Sequence, residues 1–249
     1  IPLIHAMCRI SGKNRYVLAR KGIKLYMRDV IRYEVQSITT VARQALYLDG
    51  NDADYMKGKR VLIVDDVRAG FRLDLAGSDH YFGFEADLIC FCKALANGYN
   101  MSAACGKEFL RPAASSLSYT GSYWMSAEPF AACIACINKL KAIDGPAMFR
   151  ALGTKLTEGM RAAGKSHGFD LVVSGEPALF YLRIANDDSL MLHQEWVAEC
   201  VSRGLFITSH HNHFINAAMT DEDIALAIDI ADDAFSVVAG RHPELELIK

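Results

Sequence analysis

No stretch of this 249-residue chain stays apolar for the roughly 18 residues that a membrane-spanning helix needs, and its first residues lack a charged-then-apolar leader pattern. Charge of one sign is also missing. The 27 basic residues are balanced by 29 acidic ones, and no basic run is present to track a phosphate backbone. Neither a membrane nor a nucleic acid is therefore an expected partner. Cysteine occurs in an odd number, seven, with Cys90, Cys92, Cys133, Cys136 and Cys200 in apolar segments. That pattern implies no disulfide framework and suits reduced thiols in a cytoplasmic protein. There is no internal repeat and no low-complexity tract.

What the chain does have is enough length for one large domain, or a domain with a smaller lobe. From residue 60 onward, short apolar runs alternate with helical patterns, which predicts an α/β architecture with a mainly parallel sheet. Val61 to Val64 and Leu88 to Phe91 read as strands covered on both faces, and Met101 to Cys105 as a third, short one. Glu128-Pro129 opens a helix through Phe130, Ile134, Ile137 and Leu140. Asp144-Gly-Pro146 starts another, whose stripe is Phe149, Leu152, Leu156 and Met160.

Beyond Gly164 the pattern becomes a small α+β lobe. Leu171 to Val173 and Leu179 to Ile184 flank a Gly-Glu-Pro177 turn as antiparallel strands, and a helix runs from about Leu190 to Arg203. Leu205 to Thr208 and Phe214-Ile215 look extended, and Asp221 caps a last helix. Upstream, Arg15 to Arg20 and Ile23 to Tyr26 read as two strands about a Lys21-Gly22 turn, and Ser37 to Leu48 as a helix. The resulting division is an incomplete N-terminal segment (1–60), part of a large domain (61–163) and a small C-terminal domain (164–249).

The chemistry concentrates at two strand ends. Asp65 and Asp66 close the first apolar strand, and Lys93 follows the second. A carboxylate and an amine at neighbouring strand ends suit pyridoxal phosphate: the carboxylate stabilises a protonated ring nitrogen, and the amine holds the aldehyde. Ligands of open parallel sheets collect at that edge. Either aspartate could instead be a strand-end or helix-capping residue.

Three further clusters have blander readings. The hydroxyls of Ser118-Tyr-Thr-Gly-Ser122 precede a helix and suit either a phosphate or a capping loop. Cys133-x-x-Cys136 lies in a helical run and is read as packing, and His210-His-Asn-His213 has no nearby carboxylate or cysteine in sequence, so no metal is expected.

Residues 61–72, Val-Leu-Ile-Val-Asp-Asp-Val-Arg-Ala-Gly-Phe-Arg, and residues 87–98, Asp-Leu-Ile-Cys-Phe-Cys-Lys-Ala-Leu-Ala-Asn-Gly, resemble the strand and Schiff-base lysine motifs of class III aminotransferases of fold type I. The branch that looks most similar is that of glutamate-1-semialdehyde aminomutase. The resemblance runs from about residue 58 to 238 and includes Asn216 to Ile224, similar to the family's closing motif. It departs at Asp66, where the family has glutamate, and at Met219, where histidine is common.

The resemblance implies a fold type I large domain with a small α+β lobe, and pyridoxal 5'-phosphate as cofactor. It also implies that Lys93 carries the cofactor, Asp65 pairs with its pyridine nitrogen and Val67 packs on its ring. Ser122, in place of the family's threonine, would reach the phosphate of the neighbouring subunit in a homodimer with shared active sites. The implied activity is amino transfer between a small amino donor and a keto or aldehyde acceptor. Alternatives are an intramolecular 2,1-amino shift and a cofactor-less relative. The latter is raised by residues 1–60, which hold neither the family's Gly-Ser/Thr phosphate loop nor its ring-stacking aromatic-histidine pair.

Overall fold

The structure is a computed structural model and describes residues 8, 12–13, 15–19, 23, 27–35, 44–59, 61, 64–66, 70–117, 121 and 126–244. It falls into two compact units: of the described residues, those up to Ala142 belong to one and those from Ile143 onward to the other. Val67 and Ser122 lie outside the described residues, as do residues 20 and 24–26; of the two strands expected between residues 15 and 26, the first is corrected, since residues 15–19 form no strand.

In the first unit, β1 (Ile31–Val35) pairs antiparallel with β2 (Gln44–Leu48), from Ile31 opposite Leu48 to Val35 opposite Gln44. The helix expected over residues 37–48 is therefore corrected at its described end. Residues 44–48 are a strand, because a short apolar run that suits either state is decided by the partner available to it. Asp49 then caps α1 (Gly50–Met56), its carboxylate accepting from the Asn51 and Arg28 amides at 2.9 and 2.8 Å. These donors hold the Asp49 carboxyl below its ordinary pKa, the Arg28 amide most of all.

The second sheet of this unit has three strands. β3 (Val64–Asp66) runs parallel to β4 (Leu88–Phe91), and β5 (Ala103–Gly106) is antiparallel to β4. β4 has the expected bounds, with Leu88 and Phe91 buried. The crossover from β3 includes the short α2 (Ser78–Phe82), closed by Gly83 in the left-handed conformation. Phe71 and Phe91 meet with ring centroids 5.0 Å apart, forming a small core with Leu73, Leu88 and Leu95.

Downstream are α3 (Arg111–Ser115) and the long α4 (Ala127–Ala142). Of the apolar positions along α4, Cys133 and Leu140 are buried, whereas Phe130 and Ile134 are 46% and 63% exposed. The buried side of this helix is thus displaced from the stripe that periodicity suggests.

In the second unit, α5 (Gly145–Ser166) buries the expected stripe of Phe149, Leu152, Leu156 and Met160. The sequence-based boundary after residue 163 groups this helix with the large domain. Its observed packing partners are β6 (Leu171–Glu176) and α7 (Asp221–Arg241). Gly153 makes the approach to the hairpin possible: a Cβ there would lie 1.9 Å from the Pro177 carbonyl oxygen.

β6 and β7 (Leu179–Ile184) form the expected antiparallel hairpin, and β8 (His213–Phe214) adds to the far edge of β7. Residues 205–208 form no strand, so only part of the expected extended region joins the ladder. Trp196, on α6 (Met191–Ser202), is fully buried and stacks on Phe235 of α7 at 4.7 Å. The cap of α7 is Thr220 rather than Asp221. Its hydroxyl accepts from the Asp223 amide at 3.2 Å, while the Asp223 carboxylate accepts from the Thr220 amide at 2.8 Å.

Candidate active site

The parallel register of β3 and β4 sets the site. Asp65 is opposite Ile89 and Asp66 is opposite Cys90, so both aspartates lie at the carboxyl end of β3, beside the strand that leads to Lys93. This is the edge at which parallel sheets bind ligands. The register brings the backbone of Asp65 and Asp66 to the Lys93 side of the sheet.

Beyond β4, Cys92 is extended and the chain turns abruptly. Lys93 adopts a left-handed conformation with φ +53° and opens a 3-10 turn, Lys93–Leu95. A side chain in that region costs about 1 kcal/mol or more, a strain that persists only when neighbouring contacts fix it. The Leu95 amide donates to the Cys92 carbonyl, the Asn97 amide to that of Lys93 and the Tyr99 amide to that of Ala96, each at 3.2 Å. Leu95 and Ala96, 5% and 1% exposed, anchor the turn from below. Lys93 itself is exposed, and among the described residues its ammonium has neither a hydrogen-bond nor an ion-pair partner.

An amine so placed fits a cofactor aldehyde. It is accessible, it extends from a fixed turn, and among the described residues no carboxylate pairs with it.

The other side of this turn holds residues to which sequence reasoning gave no functional role. The Cys136 thiol donates to the Ala94 carbonyl at 3.3 Å. Cys136 was legible only as half of the Cys-x-x-Cys spacing. Burial pushes the pKa of both Cys133 and Cys136 up, and it pulls the nearby Arg72 guanidinium down. On the β5 side, the Lys107 ammonium pairs with both Glu85 and Asp87 at 3.1 Å, holding the start of β4 against the end of β5.

The histidines belong to the second unit. The His213 ring stacks on Phe180 at 5.4 Å and accepts at Nε2 from the Thr208 amide at 3.3 Å, while His211 Nδ1 is 3.0 Å from the Asn212 carbonyl. His193, read only as part of a helix from sequence, is fully buried with no partner at either ring nitrogen. Desolvation lowers the pKa of both His193 and His213 to about 4. Among the described residues, no group of three or more His, Cys, Asp or Glu side chains could hold a metal ion.

Residues 44–235 match the model of the family "Aminotransferase class-III", and the chain belongs to that family. It is 36% identical over 186 residues to the aminopentol aminotransferase of Sphingopyxis macrogoltabida, an alignment covering 75% of this chain and 44% of that protein. It is 26% identical over 182 residues to the 3-aminobutyryl-CoA aminotransferase of Cloacimonas acidaminovorans (strain Evry), covering 72% and 44%. Among solved structures, the pyridoxal phosphate internal aldimine form of the FumI protein from Sphingopyxis sp. MTA144 superposes with a TM-score of 0.74 at 30% identity. That match covers 86% of this chain and 52% of FumI. The fold is therefore the α/β fold type I expected from the sequence. The chain spans less than half the length of these two curated relatives.

Proposed function

We propose that this chain provides the lysine-bearing part of a pyridoxal 5'-phosphate-dependent aminotransferase, which moves an amino group from an amino compound to a keto or aldehyde acceptor. The observation that carries this reading is the strained, exposed and unpartnered Lys93 at the carboxyl edge of the β3–β4 pair. The family match and the aminotransferases among its relatives support it.

When bound, the cofactor supplies an electron sink for the charge left at the substrate's amine-bearing carbon. Lys93 Nζ would hold the cofactor through its aldehyde carbon. As a free amine, Nζ would be the base that takes the proton from the substrate's amine-bearing carbon. Asp65 offers a carboxylate to the pyridine nitrogen, and opposite charge at close range favours the protonated ring. Val67 would pack on the ring, and Ser122 would donate its hydroxyl to the phosphate held by the neighbouring subunit of a homodimer. A cytoplasmic setting suits the free cysteines.

The amines named for the two relatives, an aminopentol and 3-aminobutyryl-CoA, are the first donors to test. The protein is incubated with cofactor and each donor, without and then with a keto acceptor, and the absorbance of the lysine-bound cofactor is followed. Loss of that absorbance with release of the deaminated donor, then recovery with aminated acceptor, supports transfer. Product formed without net donor consumption contradicts it in favour of the intramolecular amino shift.

A further inference from the structure

Among the described residues, the backbone hydrogen bonds of the turn that carries Lys93 do not use the Ala94 carbonyl. These bonds end on the carbonyls of Cys92, Lys93 and Ala96. The carbonyl of Ala94, directly after Lys93, instead accepts from the thiol of Cys136 at 3.3 Å. Cys136 is on α4, a helix separated from the turn by more than thirty residues of chain, so this bond ties two distant segments of the first unit. A strained residue followed by a carbonyl held from outside is what keeps a left-handed lysine from relaxing.

We propose that Cys136 is a positioning residue for Lys93: its S–H, donated to the Ala94 carbonyl, fixes the turn that aims the lysine. The inference rests on the assignment of Lys93 as the cofactor lysine, but the hydrogen bond it invokes does not depend on bound cofactor. A thiol suits the role because it must stay protonated to donate, and burial pushes the pKa of the Cys136 thiol up. Cys133, one turn earlier and buried where Cys136 is half-buried, is the natural control.

The test is amide hydrogen exchange by mass spectrometry on the protein without cofactor, comparing wild type with Cys136→Ala, Cys136→Ser and Cys133→Ala. Cys136→Ala is expected to speed exchange of the Leu95, Asn97 and Tyr99 amides about threefold, as suits the loss of one weak hydrogen bond. Cys136→Ser keeps a donor and should restore most of the protection, while Cys133→Ala leaves it unchanged.

With cofactor added, Cys136→Ala is also expected to shift the pH at which the lysine-bound absorbance titrates, and Cys136→Ser to return it. The proposal is overturned if Cys136→Ala exchanges like wild type, if serine fails to rescue, or if Cys133→Ala loosens the turn equally. If wild type shows no lysine-bound absorbance, the assignment of Lys93 fails, and the exchange data still decide whether the clamp exists.

Discussion

Asp65 pairs in parallel register with Ile89, and the strand containing Ile89 runs directly into the left-handed turn at Lys93. A carboxylate-bearing strand end and an amine-bearing turn are thus neighbours through backbone pairing. The account of the site rests on that adjacency and on the freedom of the Lys93 amine.

The strain at Lys93 is separable from its chemistry. Glycine has no Cβ penalty at positive φ, so Lys93→Gly should raise the unfolding free energy by up to about 1 kcal/mol, whereas Lys93→Val should lower it. Urea unfolding with unchanged m-values measures both. A destabilised glycine variant would show that the left-handed turn is not strained.

The two aspartates are distinguished by replacement. Asp65→Asn should lower the rate of amine transfer by about a hundredfold or more, because the charge that favours a protonated ring is gone. Asp66→Asn should leave the rate within a few-fold. Single-turnover kinetics with a saturating donor gives the comparison, and a larger loss at Asp66 would exchange their roles.

Ser122→Ala should weaken cofactor retention more than it slows the chemical step, since a hydroxyl on phosphate holds the cofactor without touching the reacting carbon. Equilibrium dialysis beside single-turnover rates checks this. Equal retention would remove Ser122 from the site.

Acid should destabilise the second unit through His193 and His213. Both rings are desolvated and titrate at about 4 when folded, against 6.5 ordinarily, so the unfolded chain binds more protons between those values. Asp187 opposes the shift at His193, while His213, His210 and Arg183 reinforce it. Stability is therefore full above pH 6.5 and falls as the pH drops toward 4. The loss is roughly 3 kcal/mol per ring, at about 1.4 kcal/mol per pKa unit. Denaturant unfolding of His193→Gln between pH 7 and 4 should show a smaller loss than wild type. An identical slope would contradict the assignment.

Local pattern revealed those parts of the fold that local pattern decides. Leu88 to Phe91 is an apolar run of strand length bounded by Asp87 and Cys92, and the structure makes it β4 with those bounds. The stripe of α5 and the hairpin around Pro177 were legible for the same reason.

Gln44 to Leu48 was misread because five residues of mixed propensity take their state from β1, a partner that no window of sequence displays. Asp221 was taken for the cap one residue too late: both residues are capping types, and the reciprocal Thr220–Asp223 bonds settle it. At the site, Lys93 was legible through its motif. Its left-handed backbone and the Cys136 contact were not, and the contact joins α4 to a turn far away in sequence.

The most direct measurement is borohydride reduction of the protein with pyridoxal 5'-phosphate, followed by peptide mapping. The account predicts a single pyridoxyl adduct, on Lys93, lost in Lys93→Arg with no compensating label elsewhere. Wild type with no adduct, or with labels scattered over other surface lysines, would contradict it.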